Sequence, residues 1–268
     1  MTLLQLIVLA VVQGLTEFLP VSSSAHLILV SWFMHWPDQG LVTDVAIHFG
    51  TLFAVLLYFR GDLANMLRAV IRPQADAATA QNRRLLGCLA LASVPVILVG
   101  GLAHGWVAAH LRDVRVIAVS TLVFGLLLWL VDARCARQRR LPDLGLRHAL
   151  WIGLAQVLAL VPGASRAGVT LTMGRLLGFD AVSAARFSFL LAIPVLAAAG
   201  GFGMLQVVAG DSTLDWGGFA LAVVFAALAG WICIAAFLAL LERFGLLPFV
   251  IYRLVLGVVL LYVSFAPL

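Results

Sequence analysis

Long apolar stretches, nearly free of charged residues, dominate this chain and limit what it can fold into. Hydrophobic residues make up 63% of the 268 residues and charged residues only 11%. A soluble domain of this length could not bury that much apolar surface. We therefore predict an all-α polytopic membrane protein.

Composition also excludes several kinds of site. All 17 basic residues are arginine, so no catalytic lysine is available. The net charge of +5 does not indicate nucleic-acid binding, because the arginines cluster in short segments between apolar runs, as membrane topology requires. Cys88, Cys135 and Cys233 are too widely spaced to predict a disulfide framework or a metal cluster.

Six apolar runs approach the length of about 20 residues that a membrane crossing needs. They cover 43–60, 85–104, 115–132, 183–208, 217–241 and 248–266. Two further apolar segments, 3–35 and 147–178, are interrupted by Pro20 and by Pro162-Gly163. Each half is too short to cross at about 1.5 Å per residue. We predict two re-entrant helical hairpins, each entering and leaving the membrane on one side.

The distribution of charge predicts the orientation. Loops 60–84 and 132–148 each carry five arginines, whereas loops 35–44 and 209–216 carry aspartate and no arginine. The arginine-rich loops should be cytoplasmic, and the two sets alternate correctly only if the hairpins do not cross. The arginines are Arg60, Arg68, Arg72, Arg83, Arg84, Arg134, Arg137, Arg139, Arg140 and Arg147, and the aspartates are Asp38, Asp44, Asp211 and Asp215.

Both termini are then expected outside. No basic residue precedes Arg60, so the N-terminal segment lacks the charged start of a cleaved signal peptide and is expected to remain in the mature protein.

This arrangement predicts a single membrane domain, 1–268, that contains an inverted-topology repeat. Residues 1–132 form a hairpin plus three spans, and residues 145–268 form the same elements in the opposite orientation. Ser23 and Ser165 each lie three residues after the hairpin proline, which predicts equivalent tips. We expect both tips to meet near the membrane centre, where the ends of broken helices can bind an anion.

The first tip contains the polar run QGLTEFLPVSSSAH at 13–26. Gln13 and Glu17 are one helical turn apart and face the same way. Glu17 is an acidic residue inside an apolar segment, which is expensive. We predict that it is a metal ligand or a general base, and a protonated, purely structural glutamate is the alternative.

The serines of the first tip follow the proline break. Ser22, Ser23 and Ser24 could cap the next helix or hold phosphate oxygens with hydroxyls and amides. His26 lies three residues after Ser23, so we expect its imidazole to take a proton from that hydroxyl.

The second tip contains the run LVPGASRAG at 160–168. Gly163 allows a tight turn, Ser165 caps the outgoing helix, and Arg166 is the only arginine that we place close to the bilayer centre. Its expected partner is Glu17 or a bound phosphate, and a purely structural Glu17–Arg166 pair is the alternative. His48 and Gln156 are further candidates for residues that support the site.

The two runs resemble motifs of the undecaprenyl-pyrophosphate phosphatase family of bacterial inner membranes, often called bacitracin-resistance proteins. QGLTEFLPVSSSAH is similar to that family's (E/Q)xxxE region with the following PVSS and histidine, and PGASRAG is similar to its PGxSRSG box. The resemblance covers the whole length, including the order of hairpins and spans. Gln13 departs from it, because many members have glutamate there.

The resemblance implies a phosphatase that converts undecaprenyl diphosphate to undecaprenyl phosphate, the lipid carrier of cell-wall synthesis, and thereby confers bacitracin resistance. It implies a multi-pass protein of the inner membrane whose site opens to the periplasm, with both termini periplasmic. It also implies a divalent cation, Mg²⁺ or Ca²⁺, on Glu17, which a lone carboxylate would hold less strongly. A homodimer is one expected assembly. The matching residues are Glu17, Ser22, Ser23, His26, Ser165 and Arg166.

The expected mechanism uses both tips. Arg166, Ser165 and the amides at both helix starts hold the diphosphate, with Ser24, Gly163 and Gln13 as further binding residues. The cation neutralises charge on the transferring phosphoryl group. The attacking group is either Ser23, with His26 as base, or a water activated by His26. The prenyl chain is expected to lie between helices that are open to lipid.

Two other functions remain open from the sequence. Inverted repeats with broken helices are also typical of secondary transporters, so a polyprenyl-phosphate flippase or carrier is the main alternative. A non-catalytic membrane scaffold that binds lipid diphosphate is the second. A phosphatidic-acid-phosphatase-type enzyme is disfavoured, because that pattern needs a lysine-containing motif and a histidine after Ser165-Arg166 that this chain lacks.

Overall fold

Helices account for the architecture of the chain. The computed structural model describes residues 1–37, 39–71, 76–111, 113–210 and 215–265, and these contain no β-strand beyond one isolated bridge between Arg139 and Phe179. The predicted all-α class is confirmed. The helices are α1 (Leu3–Glu17), α2 (Ser23–Phe33), α3 (Gly40–Tyr58), α4 (Arg60–Ile71), α5 (Ala77–His110), α6 (Val114–Arg134), α7 (Leu146–Gln156), α8 (Arg166–Leu176), α9 (Ala181–Ala209), α10 (Trp216–Phe244) and α11 (Leu247–Val263), with 3-10 turns at Leu141–Asp143 and Val157–Leu160.

Five of these helices are long and apolar enough to cross a membrane, namely α3, α5, α6, α9 and α10. The chain is therefore a helical, multi-pass membrane protein. The sixth predicted span, 248–266, corresponds to α11, which has only 17 residues. The predicted loop 60–84 is largely helical, which is a correction: it contains α4 and the first turns of α5. At the start of α5, Asp76 caps the helix because its side chain accepts a hydrogen bond from Thr79 N at 2.6 Å. This cap allows the polar residues that follow it to be helical.

Both short, proline-containing segments are broken helices, as predicted. The first break separates Glu17 from Ser23, and the second separates Leu160, at the end of a 3-10 turn, from Arg166. Proline in each gap lacks an N–H and disfavours helix at the residue before it. The chain therefore exposes two helix starts inside an apolar environment.

The two outgoing helices begin in the same unusual way. Ser22 and Ser165 have positive φ angles of 75° and 65°, and their hydroxyls accept hydrogen bonds from Ala25 N and Gly168 N. Ser22 is thus the counterpart of Ser165. The predicted equivalence of Ser23 and Ser165 was wrong by one residue. That prediction counted residues from each proline, whereas the equivalent positions are the two helix caps that share the same backbone conformation.

The two broken segments belong to opposite ends of the helix bundle. Leu6 of α1, Val30 of α2, Trp36 and Phe219 share one apolar cluster, at the end where α10 begins. The first segment therefore starts and finishes at that end.

The second segment starts and finishes at the other end. Near the start of α7, Arg84 of α5 donates to Asp143 O at 3.4 Å. Beyond the end of α8, the ring of Phe179 contacts His148. Fully buried Arg175 also joins α8 to the end of α6 through an ion pair with Asp132 at 2.7 Å.

Among the described residues, arginine is concentrated at this second end of the bundle, where α5 and α7 begin. Of the residues used to predict orientation, Asp38, Arg72 and Asp211 lie outside the described residues.

Small residues allow the helices to approach closely. A side-chain carbon added to Gly14 of α1 would collide with the backbone of α10 at Ala226 and Gly230, and one added to Gly153 of α7 would collide with the backbone of α5 at Ala92. Such contacts are typical of membrane proteins, where van der Waals packing replaces the hydrophobic effect between helices. They hold each broken segment against a full-length helix from the other half of the chain.

We predict that Gly153→Leu destabilises the protein by about 3 kcal/mol, because a side chain cannot fit against the backbone of Ala92. The measurement is the thermal melting temperature of the detergent-purified protein. Gly87 lies on α5, the helix that Gly153 contacts, and Gly87→Leu is the matched control, because a side chain there meets nothing within 4 Å. Equal melting temperatures for the two variants would contradict this packing.

Candidate active site

The carboxylate of Glu17 lies where the two broken segments meet. Glu17 ends α1, and its side chain is 9% exposed. Its Oε2 accepts hydrogen bonds from Gln13 Nε2 at 2.9 Å and from Ser23 Oγ at 2.9 Å. Its Oε1 accepts one from Arg166 Nη2 at 3.1 Å. A buried charge persists only with such donors, because leaving it unpaired would cost several kcal/mol.

Arg166 provides the positive half of this pair. It is the first residue of α8, its side chain is 10% exposed, and its Nη1 donates to Ser188 O at 3.1 Å. Its buried Nε has no partner among the described residues. The structure therefore brings together the predicted Glu17 and Arg166, which are 149 positions apart in the chain, and leaves one buried guanidinium donor without a partner among the described residues.

His26 lies on α2, but it does not contact the hydroxyl of Ser23. Its Nδ1 is 2.7 Å from Ser22 O, one turn back along the helix, and its Nε2 is 2.7 Å from the hydroxyl of Tyr252. The predicted Ser23–His26 hydrogen bond is therefore absent, because Ser23 Oγ donates to Glu17 instead. The side chain that contacts the Ser23 hydroxyl is the Glu17 carboxylate.

The other predicted serines lie at the two helix starts. Ser22 Oγ caps α2 and is 3.1 Å from Ser24 Oγ. Ser165 Oγ caps α8 and donates to Leu19 O at 3.4 Å, which links the two breaks directly. These hydroxyls and the first-turn N–H groups beside them form the polar surface that the two tips share.

Gly163 is required by close packing. Its φ of 91° is in the left-handed region that favours glycine, and a side-chain carbon would collide with Ser120 and Ile117 of α6. Its carbonyl accepts hydrogen bonds from Thr121 and Arg253. The structure therefore gives this predicted binding residue a turn-forming and packing role.

Arg253 is the residue that the sequence analysis missed. It lies on α11, is fully buried, and donates to carbonyl oxygens of both breaks: Pro20 O at 3.1 Å, and Gly163 O and Ala164 O at 2.9 and 2.5 Å. Its Nε also donates to Thr121 O of α6 at 3.0 Å. Arg166 is therefore not the only arginine at the tips. The signal was available, since Arg253 is a charged residue inside a predicted span.

His48 and Gln156, predicted as supporting residues, have different surroundings. His48 Nδ1 is 2.6 Å from Asp44 O, and the side chain lies within electrostatic range of Glu17. Gln156 stands nine residues before Ser165, as Gln13 stands nine before Ser22. It is fully buried, and neither polar atom of its amide has a partner among the described residues.

The oxygen atoms near Glu17 fit a divalent cation that is held weakly by the protein and completed by phosphate oxygens. The described residues contain no cluster of three or more His, Cys, Asp or Glu side chains that could hold a metal by themselves. However, buried Gln13 Oε1 has no partner, and it lies on the residue that donates to Glu17. One carboxylate, one amide oxygen and substrate phosphate oxygens are a ligand set that Mg²⁺ accepts.

The fold and this site define a class of protein: a helical membrane protein with a buried carboxylate–guanidinium site between two proline-broken helices. The family model described as bacitracin resistance protein BacA matches residues 6–259. The chain belongs to this family.

Curated relatives agree over nearly the whole chain. A protein named undecaprenyl-diphosphatase from Chromohalobacter salexigens is 47% identical over 96% of this chain and 97% of its own length. Proteins of the same name from Alteromonas mediterranea and Alcanivorax borkumensis are 44% and 49% identical, and the alignments cover 99% and 96% of this chain and 100% and 97% of those proteins.

We predict that Arg253→Met destabilises the protein by about 3 kcal/mol or more, because it leaves buried carbonyl oxygens of both breaks without a donor. Thermal melting in detergent measures the loss. Arg134→Met is the control, since Arg134 is exposed at the end of α6. A melting temperature for Arg253→Met close to that of the control would show that the breaks do not depend on Arg253.

Proposed function

We propose that this chain is an integral-membrane phosphatase that hydrolyses undecaprenyl diphosphate to undecaprenyl phosphate and inorganic phosphate. The observation that carries the proposal is the buried Glu17–Arg166 pair, with Ser23 hydrogen-bonded to the same carboxylate. The curated relatives that match this chain along nearly its whole length are named for that activity. The product would be the lipid carrier of cell-wall synthesis, and efficient recycling of the carrier would confer bacitracin resistance.

The proposed membrane arrangement is six crossings plus two re-entrant hairpins in a bacterial inner membrane. Residues 1–132 and 145–268 form the two inverted repeats. The contacts that place 3–35 and 147–178 at opposite ends of the bundle support this arrangement. Arginines at the end where α5 begins favour a cytoplasmic location for that end, so the N-terminus and the C-terminus would be periplasmic and the site would open to the periplasm.

The diphosphate would bind between the two helix starts. Arg166 has an unpartnered Nε–H, and it can exchange its bond with Glu17 for a bond to a phosphate oxygen. Ser22, Ser24 and Ser165 supply hydroxyls, and the first-turn N–H groups of α2 and α8 favour negative charge. Buried Arg253 adds positive charge behind both tips without touching the ligand.

The proposed nucleophile is Ser23, with Glu17 as its base. Once Arg166 turns to the phosphate, the carboxylate can take the proton that Ser23 already donates to it. Ser23 Oγ then bonds to the terminal phosphorus, and the bond from that phosphorus to the bridging oxygen breaks to release undecaprenyl phosphate. Glu17 passes its proton to the departing undecaprenyl phosphate. A water next gives a proton to Glu17 and attacks the phosphoserine, so that the bond from phosphorus to Ser23 Oγ breaks and phosphate is freed. Glu17 then returns the proton to Ser23 Oγ. His26 is a further proposed catalytic residue, which the resemblance implies.

A divalent cation, Mg²⁺ or Ca²⁺, is proposed as cofactor. Glu17 and Gln13 Oε1 would hold it together with the substrate's phosphates, and it would supply charge neutralisation for the transferring phosphoryl group. The proposed partners are the lipid substrate and the surrounding membrane lipids, and a homodimer is the proposed assembly.

The decisive experiment measures phosphate release from undecaprenyl diphosphate by detergent-purified protein, with and without a chelator. We expect Glu17→Gln and Arg166→Met to lower kcat/KM by about 100-fold or more, because each removes a charge that the reaction uses. Chelator should lower activity, and added Mg²⁺ or Ca²⁺ should restore it.

The neighbouring residues Glu242 and Arg243 supply matched controls, since both are exposed near the end of α10. Glu242→Gln and Arg243→Met should keep wild-type turnover, and melting temperatures check that each variant is folded. Wild-type protein that releases no phosphate would remove the enzymatic function. Variants without phosphate release that still support lipid-carrier recycling in cells would favour the flippase.

A cavity beside the site is suited to the prenyl chain. It has a volume of about 520 Å³ and lies between α3, α5 and α9. His48 and Leu160 line it: His48 is in electrostatic range of Glu17, and Leu160 immediately precedes the second break. Most of the remaining lining is apolar, so we propose that the first isoprene units of the substrate occupy this space while the diphosphate reaches the tips.

Gly101→Leu tests this path, because Gly101 lines the cavity and a side chain there enters open space. We expect KM for undecaprenyl diphosphate to rise about tenfold, with little change for a short soluble diphosphate that lacks a prenyl chain. Gly201→Leu is the control, since it also meets nothing within 4 Å but lies on α9 outside the cavity lining. Equal KM values for the two variants would place the chain elsewhere.

A further inference from the structure

Tyr252 is the only described residue that reaches the outer nitrogen of His26, and the proposed mechanism does not use it. The Tyr252 hydroxyl is 2.7 Å from His26 Nε2, and the two rings are nearly parallel, with an interplanar angle of 8°. Tyr252 comes from α11, 226 positions along the chain from His26. This contact therefore depends on the packing of α11 beside the start of α2.

The hydrogen bonds of His26 define its tautomer. A carbonyl oxygen can only accept, so Nδ1, at 2.7 Å from Ser22 O, must carry a proton. In the neutral ring Nε2 is then an acceptor, and the Tyr252 hydroxyl donates to it. In the charged ring Nε2 donates and the same hydroxyl accepts. The contact can therefore persist whether or not Nε2 holds a proton.

The same two residues also secure the strained start of α2. Ser22 has a φ of 75°, a conformation that costs a non-glycine residue about 1–3 kcal/mol. Its carbonyl is held by His26, which is held in turn by Tyr252, while Arg253, the next residue of α11, holds the carbonyl of Pro20. Tyr252 thus connects α11 to the helix start that carries Ser23.

We propose that Tyr252 is a positioning residue for phosphate release that acts through His26: its hydroxyl holds Nε2 of the imidazole in place beside the first tip, while the Ser22 carbonyl keeps the proton on Nδ1. The Tyr252 side chain also extends from the half-buried ring of His26 towards the exterior, since Tyr252 is 49% exposed. This inference rests on the proposed phosphatase function. It assigns a role to a second residue of α11, beside Arg253, although this helix contributes no residue to the sequence motifs.

The test compares Tyr252→Phe with Tyr262→Phe, a control on the same helix whose side chain is 76% exposed. Phosphate release from undecaprenyl diphosphate is measured for each, alone and combined with His26→Gln. We expect Tyr252→Phe to lower kcat about tenfold with KM within about twofold, since the hydroxyl does not touch the substrate. In the His26→Gln protein the same change should have no further effect, because the two residues act as one unit.

Two kinetic results would overturn the proposal. One is a kcat for Tyr252→Phe within twofold of the Tyr262→Phe control. The other is an equal loss of kcat with and without His26, which would show that Tyr252 acts independently of the imidazole. A wild-type protein that releases no phosphate would instead overturn the proposed function.

A readout without turnover applies even if His26→Gln is inactive. The ¹⁵N NMR signals of His26, assigned by their absence in His26→Gln, report the protonation and the hydrogen bonding of Nδ1 and of Nε2. We expect a proton on Nδ1 in the wild type and in both tyrosine variants, because the Ser22 carbonyl remains its partner. The Nε2 signal should shift in Tyr252→Phe alone, because Nε2 loses its hydrogen-bond partner there. Identical His26 signals in Tyr252→Phe and the wild type would contradict positioning by the hydroxyl.

Discussion

A buried ion pair between Glu17 and Arg166 joins the two halves of this protein. Burying two charges costs several kcal/mol for each ion, and the attraction between them repays this only when further hydrogen bonds satisfy the remaining atoms. Here Gln13, Ser23 and the carbonyl of Ser188 supply those bonds. A pair of apolar residues would stabilise the fold as well or better, so the pair is better explained by function. In the mechanism that we propose, Arg166 changes its partner from the carboxylate to a phosphate oxygen, and this change frees Glu17 to act as a base.

The convergence of the tips depends on how the backbone is satisfied inside the bundle. Each proline break leaves carbonyl and N–H groups without helical partners in an apolar environment. Arg253 binds carbonyls from both breaks, and the serine caps bind the N–H groups of Ala25 and Gly168. The buried guanidinium of Arg253 therefore holds the carbonyls of both breaks, and each serine cap satisfies one N–H group at its helix start.

The sequence was sufficient to predict the broken helices and the meeting of Glu17 with Arg166. A proline within an apolar run that is too short to cross the membrane twice predicts a broken helix. Opposite charges in two such runs predict that their side chains form an ion pair. The same reasoning did not find Arg253 or Tyr252, because neither lies near a break in the sequence, and only the packing of α11 brings them to the tips. Arg253 was a detectable signal, since a charge inside a span needs a partner.

Other differences arose where local rules were applied without the backbone conformation. The positive φ of Ser22, rather than the distance from Pro20, fixes which serine corresponds to Ser165. That conformation also directs Ser23 towards Glu17 and leaves His26 bonded to the carbonyl of Ser22. Helix α4 was missed because a loop rich in arginine was treated as irregular, although its residues have good helix propensity.

Cross-linking between the tips tests the central claim most directly. Glu17→Cys and Arg166→Cys are combined in a variant whose three native cysteines are replaced, so that both charges are removed together. A short bifunctional thiol reagent is added, and a protease site inserted between residues 134 and 146 is then cleaved. The account predicts that the two fragments stay joined, whereas fragments from a Glu17→Cys, Glu242→Cys control separate. Separation of the Glu17→Cys, Arg166→Cys fragments would show that the two breaks do not meet.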